Sequence, residues 1–214
     1  MSDALVQLRN AIIDGRVKEV EGLTSSVLSA GLTAQDILNQ GLIQGMQVVG
    51  SEFKEGKKFI PEVLFSARAM QTSLNILKPL LAQAGTKMVG KVVIGTVKGD
   101  LHDIGKNLVG MMMEGAGFEL VDLGRDVSPE KFLEVVRQQK PDILALSALL
   151  TTTMRAMRQT ITVLKQAGLR DGVKVLVGGA PVTADFAQEI GADSYGATAA
   201  DAAEIAKKLV HAAS

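Results

Sequence analysis

Along residues 1 to about 86, apolar side chains recur every three or four positions and never settle into alternation. In "SDALVQLRNAII", Leu5, Leu8, Ile12 and Ile13 share one stripe, which predicts a helix with Ser2 as its N-cap. "VKEVEGLTSSVLSAG" repeats the pattern and stops at Gly31, a residue suited to a helix C-terminus. Thr33 opens a third helix, with Asp36 three residues on in capping-box spacing. Pro61 suits a first helical turn, and Glu62 to about Ala84 forms a fourth helix that Pro79 should kink near its end. Short connections between four helices predict a helical bundle. The third helix carries Gly41, Gly45 and Gly50, which calls for either close helix packing or a bulky neighbour on that face.

From residue 88 the pattern changes. Short β-branched runs, "KVVIGTV", "FELVDLG", "DILALSA", "VKVLVGG" and "ADSYG", alternate with helical stretches near 104–115, 128–139, 152–168, 183–190 and 199–211. Ser128-Pro129 reads as an N-cap with a first-turn proline, and Thr183 as a second N-cap. Strand–helix alternation predicts a doubly wound α/β domain, Rossmann- or flavodoxin-like, around a five-stranded parallel sheet. The expected domains are therefore 1–86, helical, and 88–214, α/β, joined by "GTKMVG" (Gly85 to Gly90). In such sheets ligands sit beyond the carboxyl ends of the strands, so the loops 98–105, 147–153 and 178–182 are where chemistry is expected.

Composition narrows the function. Lysine plus arginine and aspartate plus glutamate both number 23, and no basic stretch stands out, which argues against nucleic acid or an anionic membrane as partner. No apolar run reaches bilayer length and the N-terminus does not read as a signal peptide, so the expected location is the cytoplasm. Without cysteine there are no disulfides, thiolate metal sites or cysteine nucleophiles. Two histidines, His102 and His211, are too few for a multi-histidine zinc site.

One of them sits in "VKGDLHDIGKNLVG", between Asp100 and Asp103 and between Gly99 and Gly105, directly after the first strand. The segment is not a phosphate loop. Five residues rather than four separate Gly99 from Gly105, and Lys106 is followed by Asn107 instead of a hydroxyl residue. Gly95, Gly99 and Gly105 also miss the dinucleotide spacing. A receiver-type phosphoacceptor site leaves the histidine unexplained. A single imidazole cannot hold a free metal ion firmly, but it can serve as axial ligand to a metal that arrives in its own macrocycle. Asp100, two residues earlier, is placed to bond the second ring nitrogen and fix the tautomer.

Three elements in order, Asp-x-His-x-x-Gly (Asp100, His102, Gly105), Ser-x-Leu (Ser147, Leu149) and Gly-Gly (Gly178, Gly179), resemble the fingerprint of base-off/His-on cobalamin-binding domains. "GLIQGMQVVGSEFKEGKKFIPEVLFSARAM" is similar to the helical cap before that domain in methionine synthase and in methyltransferase corrinoid proteins, so the resemblance covers essentially the whole chain. It implies a corrinoid methyl carrier of the methanol, methylamine, methoxyaromatic or betaine systems, holding cobalamin as methylcobalamin and cob(I)alamin in turn.

The same resemblance assigns residues. His102 becomes the cobalt ligand, Asp100 bonds it, and Thr153 extends the relay with its hydroxyl. The turn Gly99–Gly105, including Leu101, Asp103 and Ile104, lies against the cofactor. Ser147, Leu149 and Thr151 line the groove for the nucleotide tail. Gly178 and Gly179 let backbone approach the buried base. Phe53 and Ile60 shield the upper cobalt face, or else pack in the bundle core; "MMM" at 111–113 reads as helix packing. The implied partners are a substrate-specific methyltransferase, a second methyltransferase using tetrahydrofolate or a thiol coenzyme, and a reductive activator protein. A movable cap is implied as well, with Gly85–Gly90 as hinge. Two other readings are a cobalamin-dependent sensor or regulator, which should carry a basic DNA-binding module, and the cobalamin subunit of an adenosylcobalamin isomerase.

Overall fold

The computed structural model describes residues 3–84 and 88–211. The expected cap Ser2 and residues 85–87 of the expected linker and hinge lie outside them, as does the side chain of His211. The chain forms two compact units, one of residues 1–88 with 115–117 and one of 89–114 with 118–214.

The first unit is helical. Helices α1 (Asp3–Ile13) and α2 (Val17–Ser29) are followed by a continuous helical stretch: α3 (Ala34–Asp36), a π-helical segment (Ile37–Ile43) and α4 (Gln44–Lys54). Helix α5 (Ile60–Gln83) completes the bundle and runs through Pro79. Gly31 takes φ +87°, and its N–H bonds to Leu28 O, closing α2 as its position predicts. Thr33 Oγ1 accepts from Asp36 N at 3.1 Å and so caps α3. Two of the three glycines of the third helix, Gly41 and Gly45, have a packing cause. A Cβ on Gly41 would lie 3.2 Å from Leu5 Cδ1, and one on Gly45 would lie 3.1 Å from Ile12 Cγ2, so α1 fills the face they leave bare. No sequence signal marks the π segment, where wider turns replace the regular helix.

Phe53 and Ile60 do not belong to the buried core. Phe53 is half-buried and Ile60 is 44% exposed. They stand at helix ends, in the last turn of α4 and the first of α5, where few neighbours cover a side chain. No helix among the described residues is long and apolar enough to cross a membrane.

The second unit alternates strand and helix: β1 (Lys91–Thr96), α6 (Ile104–Gly115), β2 (Glu119–Asp122), α7 (Pro129–Gln139), β3 (Ile143–Ser147), α8 (Met154–Gln166), β4 (Lys174–Gly178), α9 (Ala184–Ile190), β5 (Ser194–Gly196) and α10 (Ala199–His211). All strands are parallel in the order β2-β1-β3-β4-β5. Ser128 and Thr183 cap α7 and α9 as read, accepting from Lys131 N and Phe186 N. Val92, Val93, Leu144, Val175 and Val177 are buried, as continuous apolar runs covered on both faces require. Met112 and Met113 are buried too, in line with a packing role. Because the chain winds first to β2 and then back to β3, the β1/β3 boundary is the topological switch point, where a crevice opens beyond the strand ends. Register puts Thr96, Ser147, Gly178 and Gly196 in one row across that edge. All four are small, so the sheet ends in a shallow shelf.

Candidate functional site

The loop between β1 and α6 is built by short-range rules. Val97, Lys98, Gly99 and Asp100 form a turn closed by Asp100 N donating to Val97 O at 3.1 Å, with Gly99 at φ +84° in the third position. Asp100 then folds its carboxylate back. Its Oδ1 accepts from His102 N at 3.0 Å and contacts His102 Nδ1 at 2.7 Å. Thr96 Oγ1 donates to His102 O at 2.8 Å and ties the histidine to the strand below.

The other carboxylate oxygen reaches the loop after β3. Asp100 Oδ2 accepts from Leu149 N at 2.8 Å, Leu150 N at 3.2 Å and Thr153 Oγ1 at 2.7 Å. Asp100 is completely buried. Burial by itself would raise its pKa; the bonds from Thr153, the His102 and Leu149 amides and the His102 ring outweigh it and hold the carboxyl well below its ordinary value. It is therefore ionised and can only accept, so in the neutral ring of His102 the proton lies on Nδ1 and Nε2 presents a lone pair. The His102 side chain is half-exposed, and its Nε2 makes no hydrogen bond among the described residues.

Beside this ring lies a cavity of about 580 Å³, contained within the α/β unit. Leu101, His102, Asp103, Ile104 and Gly105 form one wall. Ser147 and Leu149 form another, with Gly178, Gly179 and Ala180 beyond, and the loop from Gly196 to Ala199 closes the far side. Most of the lining is aliphatic. Leu101 and Ile104, flanking His102 on the chain, are 65% and 75% exposed, an unusual cost for side chains of this kind unless something apolar covers them. A Cβ on Gly105 would meet nothing within 4 Å, so the backbone there is bare.

Two expectations change in detail. Thr151 is exposed and does not line the cavity; its place after Leu150 puts it on the outer side of the turn that brings Thr153 to Asp100. Gly179 does lack room for a Cβ, but the reason is internal. At φ +125°, that atom would fall 1.9 Å from Ala148 O, so the strand-end loops of β3 and β4 already touch there. Gly178 likewise faces Gly196 O, 3.0 Å from where its Cβ would be. Gly99, Asp100 and Thr153 lie behind the cavity wall as supports, and Phe53 and Ile60 belong to the helical unit.

Several residues of this edge carry no motif. Lys106, in the first turn of α6, is buried and lines the cavity while paired with Asp122 and Asn107. The loop after β5 supplies Ala197 and Thr198; since a parallel sheet opens at the ends of all its strands, the topology alone would have pointed to it. Asp126 holds the turn at Gly99.

The donor set fits cobalamin. Among the described residues no group of three or more histidine, cysteine, aspartate or glutamate side chains could hold a metal ion. One imidazole with a bare Nε2 and a second nitrogen anchored on a carboxylate suits a metal that brings its own equatorial ligands. The apolar shelf and cavity give the appendages of such a cofactor somewhere to lie.

Fold and site together define a cofactor-binding α/β protein with a helical N-terminal unit. Residues 90–204 match the model of the B12 binding domain, and residues 4–78 match a second model described in the same words. The chain is 44% identical over 209 residues to a corrinoid protein of Desulfitobacterium hafniense (strain Y51), covering 96% of this chain and 97% of that one. It is also 44% identical over 201 residues to trimethylamine corrinoid protein 1 of Methanosarcina acetivorans, covering 93% of each. Among solved structures it is similar to the methanol:cobalamin methyltransferase complex MtaBC of Methanosarcina barkeri, with a TM-score of 0.90, 34% identity and coverage of 98% of this chain and 80% of that one. The chain belongs to the family of corrinoid proteins, and cobalamin is its cofactor.

Replacing Thr153 by valine keeps the shape and removes one of five donors to Asp100. The expected loss is about 2 kcal/mol of stability in urea unfolding, with Thr153→Ser restoring most of it. A valine variant as stable as the original would show that the hydroxyl bond contributes nothing.

Proposed function

We propose that this protein is a methyl carrier that takes a methyl group from a substrate-specific methyltransferase and hands it to a second methyltransferase, using bound cobalamin whose cobalt His102 would ligate. The observation that carries this reading is the imidazole of His102. Its Nδ1 is locked on a buried, ionised Asp100, and its Nε2 has no partner among the described residues and lies beside an apolar cavity. Bound cobalamin supplies a cobalt centre that accepts a methyl group from one partner and yields it to another.

The chain's own residues provide the rest. His102 Nε2 is the ligand, and Asp100 with Thr153 fixes its tautomer and direction. Leu101, Ile104 and Leu149, exposed around it, offer an apolar bed for a flat macrocycle. Gly99 and Asp103 complete the turn, and Gly105 leaves the backbone bare. Ser147, Gly178 and Gly179 border the cavity for the nucleotide tail. Asp100 would hold the His102 ring in place whether or not it ligates a metal. The second methyltransferase would use tetrahydrofolate or a thiol coenzyme, and a reductive activator would restore the low-valent metal. Donor choice belongs to the partner enzyme: the relatives' names pair this scaffold with trimethylamine in one case and methanol in another.

Reconstitution tests the reading. The cofactor-free protein should take up methylcobalamin and display nitrogen coordination with the benzimidazole displaced. It should hold cobinamide, which lacks the nucleotide tail, about tenfold or more weakly, because the buried apolar tail area is then lost. Failure to bind methylcobalamin would overturn the proposal; equal affinity for the two would remove the tail from the cavity.

A further inference from the structure

The bonds that fix the Asp100 carboxylate leave open what fixes its backbone. The segment after β2 supplies the answer. Asp126 Oδ1 accepts from Gly99 N at 2.7 Å, and Asp126 N donates to Asp100 O at 3.0 Å, so one residue grips the Gly99–Asp100 dipeptide at both ends. Neighbouring bonds continue the seam: Thr96 N donates to Gly124 O at 2.9 Å, and Val127 N to Thr96 O at 2.9 Å. The same Thr96 holds His102 O through its hydroxyl.

Asp126 pays a conformational penalty to do this. It sits at φ +53°, one of two non-glycine residues with positive φ in the described chain, and glycine would adopt that angle more easily. Its side chain is exposed, where most substitutions are nearly neutral. Aspartate is among the few non-glycine residues that tolerate this angle, and unlike glycine it also aims an acceptor at Gly99.

We propose that Asp126 is a positioning residue for the metal-ligating histidine. By clamping the Gly99–Asp100 dipeptide from the side opposite the β3 loop, it sets the angle at which Asp100 presents Oδ1 to the His102 ring, and so keeps the proton on Nδ1 and the lone pair on Nε2. The inference rests on the reading of His102 as a ligand, but its test does not require the cofactor.

Asp126→Gly relieves the backbone angle and removes the acceptor, whereas Asp126→Asn keeps both the angle and an oxygen. Nitrogen-15 NMR of the cofactor-free protein reads the two tautomers of His102 directly. Asp126→Gly should lower the ratio of Nδ1–H to Nε2–H about fivefold and shift the Gly99 amide, as loss of one ordinary hydrogen bond implies. Asp126→Asn should keep the original ratio. A glycine variant that melts at a lower temperature yet retains the original tautomer ratio would make the residue a mere turn former and overturn the proposal. Should the glycine variant not fold, Asp126→Glu serves instead: it keeps the charge but overreaches, so it should shift the ratio, and an unshifted ratio would again overturn the clamp. Failure of the corrinoid reading would show separately, as absent uptake of methylcobalamin.

Discussion

His102→Ala is expected to leave a folded protein whose cofactor has lost its nitrogen ligand and whose methyl transfer is slowed by about 100-fold or more, the upper range for changes to a metal's immediate supports. The fold should survive because the ring is half-exposed and gives Asp100 only one of five bonds from neighbouring groups; the amides of His102, Leu149 and Leu150 and the Thr153 hydroxyl remain. Visible absorption of the methylcobalamin-loaded variant, with a melting curve as control, separates ligand loss from unfolding. Added imidazole should restore nitrogen coordination in part, because alanine leaves a space of the right shape. A loaded variant with the original spectrum and pH response would dismiss His102 as the ligand.

Asp100→Ala should damage the cofactor-free protein itself, by about 4 kcal/mol in denaturant unfolding, because it removes a buried acceptor that donors from two loops share. The Thr153 hydroxyl can fall back on Leu150 O, 2.8 Å away, but among the described residues the amides of Leu149 and Leu150 bond only to Asp100. The pH dependence follows from the sign of the shift. A carboxyl whose folded pKa is depressed contributes its full stabilisation above its unfolded pKa, near 4, and loses it as pH falls through that value towards the folded one. The original protein should therefore weaken progressively as pH falls from about 5 towards that depressed value, and the variant should lack that component. Parallel acid profiles for the two would show that Asp100 is not held ionised by its neighbours.

Most of the secondary structure was legible because each element carries a local signal. Helix α6 over Ile104–Gly115 follows from apolar spacing, and Ser128 and Thr183 announce α7 and α9 by capping chemistry. Asp100 and His102 were legible from their spacing in the loop after the first strand, whereas Thr153 came only with the resemblance to cobalamin-binding domains, since nothing local marks it. What escaped depends on tertiary contact. Gly179 was read as room for a ligand, yet the carbonyl of Ala148, far away in sequence, is what forbids its side chain. Lys106 and Asp122 meet only once α6 packs beside β2, and Asp126 reads as an ordinary surface charge until Gly99 lies under it. The π-helical turn at Ile37–Ile43 has no residue signature at all.

The Asp100 carboxylate also makes two backbone amides into reporters. Leu149 and Leu150 sit in a solvent-facing turn where deuterium would ordinarily replace their protons within moments, yet both are committed to an anion buried beneath them. Their exchange clocks every excursion in which the two strand-end loops part, so a single pair of peaks can follow how loading the site tightens it.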